Sequence, residues 1–224
     1  MPQLLWATDK EASPYPLFVS ADRALNSEGR FDEELFSEAS RLTLERDVLN
    51  RDFSSCGKGF RILGHFDPQD SWTGLPSILA DSDYVVVGRV SGIEKGFWFS
   101  FPGTVFRITP ERWLKSRDRW LEKFLFIPSV DMKLGEKRVC MDDARFPELP
   151  ESDWQVVVSY KDSPGNRNSP LFFVDPAQII VISESGRVSL PKFLADREPE
   201  WNQKSGGDIV EEISRIIDDS RSSR

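Results

Sequence analysis

Ser55-Cys56-Gly57-Lys58 and His65 come nearest, in type and spacing, to residues that could do covalent chemistry. A Ser three positions before a Lys sets an amine beside a hydroxyl on one helical turn. A thiol within reach of an imidazole can be deprotonated to a nucleophile. Either arrangement, with Ser55 or Cys56 attacking, would make a hydrolase. Gly57 and Gly59 weigh against the first, because they break the turn its geometry requires. With this many Ser and Lys in the chain, one such spacing is expected by chance. His65 lies nine residues beyond Cys56, across glycine-rich chain. The plainer reading is a structural His and a thiol that is either buried or bridged to Cys140.

His65 is the chain's only histidine, and Cys56 and Cys140 are its only cysteines. Zinc sites draw on several His or Cys ligands, so neither a metal site nor a cofactor is expected. No glycine-rich phosphate loop and no strand-to-helix nucleophile elbow occurs. Asp142, Asp143, Glu148 and Asp153 gather carboxylates around one loop, where acid–base work or calcium binding is conceivable. They lack the alternating ligand spacing of a calcium loop and read as a solvated acidic loop.

The remaining constellation is basic and aromatic: Trp98, Arg107, Arg112, Trp113, Lys115, Arg117, Arg119, Trp120 and Lys123. Its six cations face only Glu111, Asp118 and Glu122. Aromatic faces beside cations can stack single-stranded bases and hold their phosphates. The same residues also suit core tryptophans and a solvated charged turn. A net charge of −8 disfavours a duplex or an anionic membrane as the main partner. The expectation is therefore a non-catalytic module that binds protein, with single-stranded nucleic acid as the alternative and a hydrolase as the second.

These residues need a scaffold. The 224-residue chain is 39% hydrophobic and 29% charged, and it holds seven Trp and sixteen Phe, enough aromatic area for a real core. Asp83 to Ile93 reads as a core strand entered through an acidic turn, with Gly88 suited to a bulge or bend. Further strands are expected at Thr104–Trp113, Phe124–Ile127, Arg138–Met141, Trp154–Tyr160, Leu171–Val174, Gln178–Ile182 and Arg187–Leu190. Turns are expected at Pro102-Gly103, over Pro128 to Gly135, and at Glu184-Ser185-Gly186. A helix is expected over Phe31–Asn50, capped by Asn26 or Ser27, and a short one over Ser77–Ala80. Glu198 to Gly207 reads as a polar connection, and Asp208–Ser220 as an amphipathic helix capped by Asp208.

The pattern predicts a mainly β (α+β) protein: a five- or six-stranded antiparallel barrel over about 81–190, flanked by an N-terminal and a C-terminal amphipathic helix. Residues 1–80 form an arm, helix and loop packed on it, and 191–224 a linker and helix. Monomer is the expected state. No apolar run approaches the roughly 20 residues of a membrane span. The N-terminus lacks the basic and apolar regions of a signal peptide, so the chain as written reads as cytoplasmic, or as secreted if a leader has been trimmed.

Three segments in order carry a family resemblance: Ala80-Asp81-Ser82-Asp83-Tyr84-Val85-Val86-Val87-Gly88-Arg89-Val90, then Thr104 to Lys115, then Phe124-Leu125-Phe126-Ile127 with Leu134-Gly135-Glu136-Lys137-Arg138-Val139-Cys140. This succession resembles the small OB-like barrel of netrin modules and tissue inhibitors of metalloproteases, and of bacterial proteins of unknown function with a similar barrel. The resemblance covers roughly residues 80–190 and implies a fold. The protease inhibitors chelate zinc through an N-terminal cysteine, whereas this chain has none before Cys56. Ser116 also replaces the glycine that follows Lys in the family.

Overall fold

The computed structural model describes residues 17–49, 72–115, 124–128, 130–141, 149–161, 171–173 and 176–222. In chain order the elements are β1 (Phe18–Ser20), α1 (Glu38–Leu44), α2 (Leu75–Asp81), β2 (Tyr84–Trp98), β3 (Phe101–Lys115), β4 (Phe124–Ile127) and β5 (Val130–Leu134). There follow β6 (Lys137–Met141), β7 (Gln155–Tyr160), β8 (Leu171–Phe173), β9 (Ile179–Ile182), β10 (Val188–Ser189), α3 (Lys192–Ala195) and α4 (Gly206–Ser222). The chain is mainly β, as expected: its principal sheet is antiparallel and curls as a half-barrel, accompanied by a few helices. Strand order is β10-β9-β7-β2-β3-β4-β8, with β1 added on β2, and β5 and β6 pair separately. Among the described residues that makes eight strands in the sheet rather than five or six.

Two compact units share the long strands β2 and β3. One comprises residues 1–62, 94–105 and 126–143, the other 63–93, 106–125 and 144–224.

In the second unit, the β-branched run at the start of β2 pairs with β7 without interruption, from Tyr84 opposite Tyr160 to Arg89 opposite Gln155. Gly88 lies inside that ladder, so it forms no bulge against β7. What it provides is room on the β3 side, where a Cβ would stand 2.4 Å from Ile108 Cγ2. Val85 and Val87 fall on one face, as a two-residue repeat requires. They join Val157, Ile180 and Ile182 in a core closed by Leu75, Ile78 and Leu79 of α2 and by Ile209, Ile213 and Ile217 of α4. The C-terminal helix is thus docked within its own unit. Its cap is Ser205, not Asp208. The Ser205 hydroxyl accepts from Asp208 N at 3.3 Å, and Asp208 Oδ2 accepts from Ser205 N at 3.2 Å, a reciprocal capping box. The stretch before it is a 3-10 turn over Pro199–Gln203 that buries Trp201, where a polar connection was expected.

In the first unit, Phe31, Phe36 and Phe97 meet edge-on with centroids 5.4, 5.3 and 6.0 Å apart. Val19, Leu44, Val48, Met132, Leu134 and Val139 surround them. The helix expected over 31–50 is confined to Glu38–Leu44, followed by a π turn over Glu45–Leu49. Ser37 caps it by accepting from Ser40 N at 3.2 Å. Asn26 instead holds its own turn, accepting from Glu28 N and Arg30 N. Phe31 and Phe36 therefore enter the core from turns ahead of the helix. The expected turn at 128–135 is largely strand β5, whose Val130, Met132 and Leu134 alternate inward. Cys140, buried on β6, is disulfide-bonded.

Candidate interaction surfaces

Strand β3 carries four of the sequence-predicted residues. Burial along it is unbroken from Pro102 to Phe106, gives way to exposure at Thr109, and then Glu111, Arg112 and Trp113 are exposed in succession. Pro110, immediately before them, lacks the N–H that a regular ladder needs. Trp113 is left 39% exposed. Beside it Arg112 Nη2 donates to Ser214 Oγ of α4 at 3.5 Å. Glu111 ties three strands together. Its Oε1 accepts from Arg89 Nε at 2.6 Å and its Oε2 from Gln155 Nε2 at 2.7 Å, while Arg89 Nη1 donates to Asp153 O. Sequence reading counted Glu111 only as a counter-charge, because cross-strand neighbours cannot be read from linear spacing.

Two of the predicted cations serve the fold. The Arg107 guanidinium lies 5.4 Å from the centre of the Phe124 ring. Lys115 Nζ donates to Leu79 O at 2.7 Å and Ala80 O at 3.3 Å, the last carbonyls of α2, where a cation suits the helix dipole. Arg117, Arg119, Trp120 and Lys123 lie outside the described residues.

Trp98 belongs to the first unit and to a feature that sequence reading placed elsewhere. The connection between β2 and β3 is the two-residue turn Phe99-Ser100, whereas Pro102 and Gly103 are part of β3. Gly103 is needed there for space. A Cβ on it would meet the Phe126 ring at 2.4 Å, so only glycine lets that ring lie against the backbone. Phe126 packs on Trp98 with centroids 5.2 Å apart, and Trp98 on Phe99 at 5.8 Å. Phe99, at the end of this series, is 42% exposed, and Phe101 at the start of β3 is 49% exposed. The signal in the sequence was the absence of charge. Gly96 to Phe106 is the longest uncharged stretch of the chain, eleven residues.

Ser55, Cys56, Lys58 and His65 lie outside the described residues, as do Asp142, Asp143 and Glu148. Asp153 is placed, in a turn with φ of 67°. Among the described residues no group of three or more His, Cys, Asp or Glu is arranged to hold a metal. No helix among them is long and apolar enough to cross a membrane. An open cleft of about 360 Å³ on the β5–β6 hairpin is lined by Asp131, Met132, Lys133, Glu136, Lys137 and Arg138. Two of its charges are spent on each other, Arg138 donating to Asp131 through both Nε and Nη2, which holds the Asp131 carboxyl below the usual range. Lys137 donates to Leu49 O. No family model matches the chain, and no curated protein or solved structure matches it.

Proposed function

We propose that this protein is a non-catalytic module that binds another protein through the end of β3, with Arg112 and Trp113 as its anchors. One observation carries the reading: Glu111, Arg112 and Trp113 stand exposed in succession near the end of β3, a strand buried without a break from Pro102 to Phe106. Trp and Arg dominate the energetics of protein interfaces, since each brings a large apolar surface together with directional donors. The Glu111–Arg89–Gln155 network holds the strand beneath them, which lowers the ordering cost of binding. The single-stranded nucleic-acid reading draws less support. Arg107 and Lys115, half of its described aromatic-and-cation set on β3, are engaged inside the unit. The likeness to netrin modules stays a proposal about the scaffold, without protease inhibition.

The test places a photo-reactive benzoylphenylalanine at Trp113 in the full chain and irradiates it in an extract. A discrete protein adduct is expected, reduced about thirtyfold or more by Arg112→Ala, as suits a hot-spot loss of about 2 kcal/mol. Retention on single-stranded DNA that falls with salt and with Arg112→Glu would overturn the reading in favour of nucleic acid. No adduct and no DNA retention would overturn both.

A further inference from the structure

We propose that the β2–β3 hairpin tip is a lipid-contact element, which sets Phe99 and Phe101 into the interfacial layer of an uncharged bilayer. The inference is independent of the protein-binding reading, which concerns other residues. Four observations converge on it.

The first is backbone conformation. Phe99 has φ of 54°, in the left-handed region, where a Cβ crowds the following carbonyl. Gly or Asn would occupy that turn position at lower cost. A phenylalanine there trades local stability for an exposed ring.

The second is support. Phe99 is backed by Trp98 and Trp98 by Phe126, and Phe126 is seated by the missing side chain of Gly103. A two-residue turn fixes the directions of Phe99 and Phe101, so little freedom is lost when they insert.

The third is composition. From Gly96 to Phe106 there is no charge, and aromatic rings predominate at the turn. Protein interfaces of this kind carry a polar rim with about one hydrogen bond per 100–200 Å². At the turn Ser100 is the only polar side chain between Trp98 and Gly103. An apolar, charge-free tip ending in Trp and Phe matches the boundary between headgroups and acyl chains, where aromatic residues are enriched.

The fourth is overall charge. At −8 the chain would be repelled by an anionic surface. The lipid it fits is therefore zwitterionic, and contact would be insensitive to salt.

The experiment is flotation of the full-length protein with phosphatidylcholine vesicles at low and high salt. The wild type is expected to float equally at both. Phe99→Ser combined with Phe101→Ser should reduce the vesicle-bound fraction at least tenfold without lowering the melting temperature. Phe99→Gly alone should reduce flotation while melting at or above the wild type, which separates loss of binding from loss of fold. Absence of flotation, flotation only with phosphatidylserine vesicles that salt abolishes, or equal flotation of the double variant would each overturn the proposal. A photo-reactive residue at position 99 that labels a protein and never lipid would assign the tip to a protein pocket instead.

Discussion

The carboxylate of Glu198 lies against the bare Cα of Gly74: a Cβ built on that glycine would stand 2.8 Å from Glu198 Oε1. The same oxygen accepts from Leu75 N at 3.4 Å, at the start of α2. An acidic side chain from 123 residues further along the chain thus meets the positive end of that helix. Gly74 is what admits it.

Replacing Gly74 with Ala forces the carboxylate off the helix terminus. The expected cost is about 1 kcal/mol, the sum of a lost charge–dipole contact and local crowding. In a Glu198→Ala background the same change should cost measurably less, because its opponent is gone. Urea denaturation of the four proteins of this cycle gives the coupling directly.

Lys115 closes the other end of α2. Lys115→Met should destabilise the fold by about 0.5–1.5 kcal/mol, leaving the terminal carbonyls of Leu79 and Ala80 without their cation. If Lys115 instead contacted phosphates, the variant would flatten the salt dependence of binding to single-stranded DNA by about one unit of slope. The structural role predicts a lower melting midpoint with no such change.

The C-terminal helix seals the second unit through Ile209, Ile213 and Ile217, all of them buried. Ile213→Ala should cost about 2–5 kcal/mol, the range for a truncated core aliphatic. Truncation after Lys204 should lower the melting temperature and leave the mass, by light scattering, that of one chain. A full-length dimer that truncation converts to monomer would show the helix serving between copies.

Asp208 gives α4 a dependence on pH. Hydrogen bonds from Ser205, first from its hydroxyl and then from its backbone N–H, hold the Asp208 carboxyl below its ordinary value of 3.8. A depressed carboxylate stabilises the fold fully above its unfolded value, and that contribution fades as pH falls through the folded one. Glu212 moves the same way beside Arg215. Melting followed between about pH 6 and pH 2 should therefore fall more steeply for the wild type than for Asp208→Asn. Parallel curves would mean that the capping box adds no linkage.

Much of the architecture was legible in the residues because it is locally encoded. The β-branched runs of β2 and β7 and the helical spacing of the Ile stripe of α4 each mark the element they form, and all three elements are present, with β2 continuing past Ile93 to Trp98 and α4 starting at Gly206. Ends and turns were misplaced wherever a distant residue decided them. Pro102-Gly103 has the composition of a turn, yet it lies in β3 because Gly103 must admit Phe126. Helix α1 begins at Glu38 because Ser37 caps it, while Phe31 and Phe36 are drawn ahead of it into a cluster with Phe97, some sixty residues away. The exposed aromatics were present in the sequence as an uncharged run, but exposure is a property of the packed molecule. Which of Phe97, Trp98, Phe99 and Phe101 would be buried was decided by strand pairing, which alternates side chains between faces, and by the turn that leaves Phe99 42% exposed beside Trp98. Periodicity is written into a chain residue by residue, whereas the assignment of Lys115 to a helix terminus and of Phe99 to the surface arises only from contacts between segments remote in sequence.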